Sequence, residues 1–389
     1  MKERYYSLDI FRGATVAFMI LVNNQAGQSY GPLDHAPWHG LTPTDLVFPF
    51  FLFAVGNALS FVMPRLKQQD RSAALGRIFR RSALIFLIGF LLNWFPFIRW
   101  EHDSLVFRGW TYTNDSGVVV GVRVMGVLAR IALCYLFGSL LVYFLGLRGS
   151  LVASAVLLLG YWLLCYTLGT PGDPYSLNGY FGTAVDKALF GPEHLYHGEG
   201  VAFDPEGIPS TMAAITQVVF GYMVGWYIQQ KGKNYTMLRN LVLMALAFLA
   251  VGYVWSLAFP VNKKIWTSSF VLVSTGYATL MLALLVFVIE FKHLKGWGSR
   301  FFDVFGKNPL FIFVLSGVVP RLLGLIRIPN PAGGKPVWLS PLSWFFHQVC
   351  QPLSAGNAKN ASLIYALTLI LLYWLVGYIL DKRKIYIRV

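Results

Sequence analysis

The chain has 389 residues, of which 56% are hydrophobic, 16% aromatic and only 13% charged, and its mean hydropathy is +0.57. A soluble globular domain carries nearer a quarter charged residues, so this composition excludes one. The net charge of +15 is scattered between apolar runs rather than gathered on a basic soluble face, which excludes a nucleic-acid partner. What remains is an all-α polytopic membrane protein: a single transmembrane domain over 1–389, built as a bundle of about ten helices in a lipid bilayer.

Helices are expected over 8–25, 44–63, 79–98, 124–146, 151–169, 211–229, 238–258, 267–290, 303–325 and 362–381. In helix 1, SLDIFRG places Asp9 and Arg12 at i, i+3, on one face. Asn23, Asn24 and Gln25 follow its apolar stretch where a cleavage site would show small residues, so this helix is expected to stay attached. The loop DHAPWHG then crowds His35, Trp38 and His39 between two apolar runs. Asp45 opens helix 2, where a carboxylate complements the helix N-terminus and can cap it.

Arg77, Arg80 and Arg81 cluster where helix 3 begins. Arg130, in GVLARIALCYL, reads as mid-span, a depth at which a guanidinium needs a partner or a wet cavity. The stretch 170–210 is acidic, rich in Gly and Pro, and too long for a mere connector. Its end, FDPEGIPST, sets Asp204 and Glu206 just before helix 6. KKIWTSS, at 263–269, sets two lysines and Trp266 before helix 8, and GKNP puts Lys307 and Asn308 within helix 9. Segment 338–354, interrupted by Pro341 and Pro352, reads as interfacial or re-entrant. Cys134, Cys165 and Cys350 show no paired spacing for a disulfide, and no metal site is expected.

Short loops rich in Lys and Arg mark the cytoplasmic side. With the N-terminus inside, that side collects Lys2, Arg4, Arg65, Lys67, Arg71, Arg77, Arg80, Arg81, Arg148, Lys231, Lys233, Arg239, Lys292, Lys295, Arg300, Lys382, Arg383, Lys384 and Arg388, more than half of all the basic residues. Both termini are then cytoplasmic, and DHAPWHG and 170–210 lie outside. The charge of the chain is mostly a topology signal.

The stretches SLDIFRGATVAFMILVNN, HAPWHGLTPTDLVFPFFLFAVG, GVLARIALCYL, FDPEGIPST, NKKIWTSSFVL and FGKNPL, in this order, resemble the transmembrane acetyltransferases typified by heparan-α-glucosaminide N-acetyltransferase and its bacterial homologues. The likeness runs from about residue 4 to the C-terminus and is most specific in the first two stretches. Two departures stand out. A lumenal domain and an extra helix precede SLDIFRG in the human-type enzyme and are not seen here, and Ala129 stands where many members have Gln.

The resemblance implies a reaction: acetyl-CoA, the donor and co-substrate, gives its acetyl group to the amine of a glucosamine-type acceptor across the membrane. It implies a bacterial cytoplasmic membrane, His35 as the essential histidine of the HAxWxG motif, and Asn23 as the matching asparagine at the end of helix 1. Chemistry agrees, since a thioester and an amine need a base near neutral pH. His35 then acts as base or as acetyl-accepting nucleophile, Asn23 offers an N–H to the oxyanion, and Asp45 orients the imidazole. His39 is expected to be incidental. The donor is expected to meet Arg12, Arg77, Arg80, Arg81, Arg130, Lys307 and Asn308, and the acceptor Trp38, Asp204, Glu206, Lys264 and Trp266. A homodimer is compatible with this reading. Two rivals stay open: a sugar transporter or exporter using His35 as a proton-coupled gate, and an O-acetyltransferase of an envelope glycan.

Overall fold

A computed structural model describes residues 5–114, 117–330 and 337–387; Lys2, Arg4 and Arg388 of the basic set lie outside the described residues. In chain order the elements are α1 (Tyr6–Asn23), α2 (Val47–Leu66), α3 (Arg71–Trp94), β1 (Ile98–Glu101), β2 (Ser104–Phe107), β3 (Thr111–Thr113), β4 (Val119–Gly121), α4 (Val127–Leu168), α5 (Gly182–Phe190), α6 (Ile208–Lys231) and α7 (Tyr235–Trp255). They continue with α8 (Ser268–Val286), α9 (Trp297–Lys307), α10 (Pro309–Leu323), β5 (Ile328–Asn330), β6 (Val337–Leu339), α11 (Pro341–Phe345), α12 (Gln351–Leu353) and α13 (Ala358–Lys382). The fold is an all-α polytopic membrane bundle, with three small antiparallel strand pairs among the described residues of its connections: β1–β2, β3–β4 and β5–β6.

Six helices among the described residues are long and apolar enough to cross a bilayer, or seven if α9 and α10 count as one span. The longest, α4, has 42 residues and covers both 124–146 and 151–169; its halves meet at Gly146, whose φ of 65° breaks the helix where Arg148 follows. The span expected over 303–325 is not one helix. It bends by 80° between α9 and α10, at Asn308-Pro309, because proline supplies no N–H to continue the ladder. Helix α1 stands where expected, whereas α3 runs from Arg71 to Trp94 rather than over 79–98, and both carry too much polarity to be counted among the six. The segment 341–353 is helical through Pro352, with a π turn at Phe346–Cys350.

At the centre stand α2, α6 and α8; α6 has 78% of its apolar window buried, against 22% for α7. Close approach of α2 and α6 depends on two glycines. A Cβ at Gly56 would collide with the carbonyl of Val218, and one at Gly221 with that of Phe53, the small-residue contact by which membrane helices come together without a hydrophobic drive. Gly13 and Gly306 do the same for α1 and α9. Outward faces of α4, α7 and α13 expose Val152, Val156, Leu163, Leu246, Val254, Leu371 and Leu375, as a bilayer-facing surface should.

The bundle has two unlike ends. At one, Glu290 accepts hydrogen bonds from the backbone N–H (3.1 Å) and hydroxyl (3.2 Å) of Ser7 and pairs with Lys233 at 2.9 Å, clasping the start of α1 to the α6–α7 and α8 ends. At the other, the connections 24–46, 95–126, 169–207 and 256–267 fold over one another: Gly40 N–H donates to Val261 O, Trp38 Nε1 to Tyr175 O, and Val124 N–H to His194 O. The second, the loop end, carries the site.

Candidate active site

A short 3-10 turn, Pro43–Leu46, leads into α2, and its third residue is Asp45. The carboxylate is almost fully buried, and its closest hydrogen bonds are local. One oxygen, Oδ2, accepts from Thr42 N–H (3.1 Å), Thr42 Oγ1 (3.0 Å) and Ala36 N–H (3.1 Å), while Oδ1 lies 2.7 Å from His35 Nδ1. Asp45 is therefore cap and orienting group at once, and the two readings of it do not compete. With Nδ1 turned to the carboxylate, the hydrogen-bond network assigns the proton of a neutral ring to Nδ1 and leaves the Nε2 lone pair open. Half of the His35 side chain is exposed (48%), so the ring is accessible while its orienter is not (2%).

His35 lines a cavity of about 220 Å³ with Ala36, Trp38, Asp45, Arg123, Val127, Tyr196, Glu199, Pro205, Glu206, Lys263, Lys264 and Trp266. Three connecting segments and the head of α4 thus converge on one imidazole. Lys263 Nζ stands 3.1 Å from His35 Nδ1, 3.3 Å from Nε2 and 3.7 Å from Asp45 Oδ1. Burial lowers the Lys263 pKa, against the pull of Asp45 and Glu206. Lys264 turns the other way, to the Pro37 carbonyl (2.7 Å) and Glu199 (2.6 Å).

The acidic motif before α6 is anchored by a residue that sequence reading missed. Arg123 donates from Nε to Asp204 Oδ2 (2.9 Å) and from Nη2 to Asp204 Oδ1 (2.6 Å), and it also contacts Glu206. Asp204 is wholly buried and does not line the cavity; Glu206 does. Burial alone would raise the Glu206 pKa, but Arg123 and Arg130 hold it below its ordinary value. Burial lowers the pKa of His39, which points away from the cavity toward Asn262 Nδ2 at 3.4 Å.

Trp266, with φ of 51°, is held in the left-handed region, a strained setting for a bulky side chain that recurs at functional sites. Its ring takes Phe48 edge-on at 5.0 Å and the Arg130 guanidinium at 5.0 Å. Arg130 is not mid-span: it is the fourth residue of α4, one turn below the loop end, because α4 starts only at Val127. It is fully buried, and its Nη2 donates to Gly207 O (3.1 Å) and to Ser210 Oγ, while Nε and Nη1 meet no acceptor among the described residues.

A second cavity, of about 110 Å³, lies deeper in the bundle, lined by Arg12, Arg81, Tyr135, Phe51, Leu128, Ile131 and Pro309 among others. Val127 faces the first cavity and Leu128 and Ile131 the second, so one turn of α4, the turn carrying Arg130, divides them. Of the residues proposed for the donor, Arg12 and Arg81 line this second cavity and the others are placed elsewhere. Arg77 and Arg80 are exposed on α3 and line neither cavity. Lys307 pairs with Asp303 (2.8 Å) and Asp381 (2.9 Å), and the Asn308 amide binds the backbone of Ile385 (3.1 Å) and Ile387 (2.8 Å). Arg12 donates to Gly306 O and to Asp9. Asn23 is exposed at the end of α1 and lines neither cavity.

Residues 4–177 match the family model described as heparan-alpha-glucosaminide N-acetyltransferase, catalytic, a stretch that includes His35, Asp45, Arg123 and Arg130. Among curated proteins, the heparan-alpha-glucosaminide N-acetyltransferase of Homo sapiens is 26% identical over 99% of this chain, and that of Mus musculus 24% identical over 99%. This chain spans 60% of the length of each. The resemblance read from the motifs is thereby borne out.

Proposed function

We propose that this relative of the heparan-alpha-glucosaminide N-acetyltransferases is a membrane-embedded acetyltransferase that moves acetyl from acetyl-CoA to the amine of a glucosamine-type sugar. The observation that carries the reading is the His35–Asp45 pair in the wall of the loop-end cavity, a half-exposed imidazole with a buried carboxylate on Nδ1. As general base, Nε2 takes the proton that the amine loses when the new C–N bond forms, and the thiol leaves. In the two-step path Nε2 takes the acetyl first and the amine then displaces it. Asp45 supports either route by fixing the tautomer and stabilising an imidazolium.

Acetyl-CoA supplies the activated acyl group. The chain fits such a donor at two places. Arg130, on the turn between the cavities, holds two buried nitrogens, Nε and Nη1, without acceptors among the described residues, which a carbonyl of the donor's arm would satisfy. The deeper cavity, too small for a nucleotide, suits the arm alone, and the exposed Arg77, Arg80 and Arg81 suit the phosphates outside it. For the acceptor, Trp38, Glu199 and Glu206 line the outer cavity beside His35. Asn23 as an oxyanion donor is carried by the family resemblance alone. The lysine and arginine bias supports cytoplasmic termini, with donor entry from that side and the sugar opposite.

Purified protein in detergent tests this reading. It should release free thiol from acetyl-CoA when glucosamine is added, with no gradient present. Turnover of N-acetylglucosamine instead would point to O-acetylation, and sugar movement across vesicles without thiol release would overturn the enzyme reading.

A further inference from the structure

We infer that Lys263 is a catalytic cation of the loop-end cavity, its ammonium donating to the acyl oxygen as that oxygen gains negative charge during transfer at His35. The inference rests on the His35 reading above. Three cations line the cavity, and two are committed: Arg123 to Asp204 and Glu206, Lys264 to Glu199 and the Pro37 carbonyl. Among the described residues, the nearest carboxylate oxygen to the Lys263 ammonium is Asp45 Oδ1, at 3.7 Å, and its nearest hydrogen-bonding atoms are the two ring nitrogens of His35, at 3.1 and 3.3 Å.

That near-equality fixes the geometry. A donor in line with the Nε2 lone pair would sit much farther from Nδ1, so the ammonium lies against the ring and leaves the lone pair open to the cavity. An acyl group reacting at Nε2, or beside an amine bound there, then brings its oxygen within reach of Nζ. Attack on the carbonyl carbon moves a π pair onto that oxygen, and a positive N–H donor already in place stabilises it. When the tetrahedral species collapses, the pair returns, the C–S bond breaks, and the sulfur leaves as thiolate to be protonated. His35, Asp45, Glu206 and Lys264 are the charged or titratable groups facing the Lys263 ammonium, and burial, which lowers its pKa, also strengthens any hydrogen bond it makes.

The test replaces the charge and then restores it. Lys263→Cys should lower kcat by about 10²–10³-fold, the cost of losing an oxyanion donor, with the acetyl-CoA KM little changed. Alkylation with 2-bromoethylamine converts that cysteine to a thioether analogue of lysine; Cys134, Cys165 and Cys350 are buried and spared. Alkylation should recover most of kcat, and the alkaline limb of the pH profile should move to lower pH, because the thioether amine is the weaker base. A folding role would not shift that limb. If Lys263→Cys misfolds, Lys263→Gln carries the same expected loss. A kcat within a few-fold of wild type in either variant, or a folded alkylated protein that stays slow, overturns the inference. His35→Ala is measured in parallel: if it remains active, the His35 reading itself has failed; if it is inactive while Lys263→Cys is active, only the role of Lys263 has.

Discussion

Arg123 grips both carboxylate oxygens of Asp204, at 2.6 and 2.9 Å, across 81 residues of chain. The pair ties the strand-to-helix link before α4 to the turn before α6, and Asp204 is fully enclosed. Breaking a buried pair from one side leaves an uncompensated charge and costs about 3–5 kcal/mol; the partial exposure of Arg123 places this pair toward the lower end. Arg123→Met should therefore lower the melting temperature more than Asp204→Asn, which keeps an acceptor. Thermal unfolding in detergent checks it. An unchanged melting temperature with a selective rise in the acceptor KM would instead make Asp204 a substrate contact.

Asp186, on α5, sits buried behind the N-terminus of α6 and accepts the Ile208 N–H at 2.9 Å. Burial raises its pKa to about 7, despite that hydrogen bond. The unfolded chain ionises near its ordinary value of about 4, so between those limits the native state holds the extra proton and stability falls as pH rises, by up to a few kcal/mol in all. Asp186→Asn keeps the oxygen facing Ile208 and removes the penalty. It should melt higher than wild type at pH 8, with the gap narrowing steadily as pH is lowered toward 4. A pH-independent difference would contradict the buried-carboxyl account.

Gly56 and Gly221 face carbonyls of the opposite helix at the α2–α6 crossing. An alanine at either position must push two central helices apart, and the backbone it meets cannot rotate away as a side chain could. Gly56→Ala should lose folded yield or melt well below wild type, by an overpacking cost of about 1–3 kcal/mol or more. Gly160, with open space around its missing Cβ, is the control and should tolerate alanine. Equal behaviour of the two variants would show that the crossing is looser than described.

Arg130→Lys keeps a charge but loses the planar fork that reaches Gly207 and Ser210. If the two unpaired nitrogens serve the donor, acetyl-CoA affinity should fall in protein that remains folded. Unaltered acetyl-CoA affinity in a folded Arg130→Lys protein would remove Arg130 from the donor path.

Much of this was legible in the sequence, for physical reasons. Apolar runs long enough for a bilayer mark α2, α6, α7, α8 and α13, and His35 and Asp45 lie ten residues apart in one loop, within reach of local reasoning. The break at Asn308-Pro309 and the fusion across Gly146 were not, since hydropathy averages over both. The hairpins of 98–121 escaped because their strands have three or four residues, too few for a period to emerge. Arg123 carries no local signal, because its partners are 81 and 83 residues away. Of the adjacent Lys263 and Lys264, only the turn ending at Trp266 decides which one meets His35. The tail contacts that occupy Asn308 depend on residues 385–387, which no local pattern links to it.

The central claim, that His35 performs the transfer, is tested most directly by comparing kcat of His35→Ala and His39→Ala with acetyl-CoA and glucosamine, on protein shown to be folded. His35→Ala should fall by about 10²–10⁴-fold, the range for losing a general base, or further if a covalent step is lost. His39→Ala, whose ring faces Asn262 rather than the cavity, should keep most of its activity. Near-normal turnover in folded His35→Ala would contradict the account.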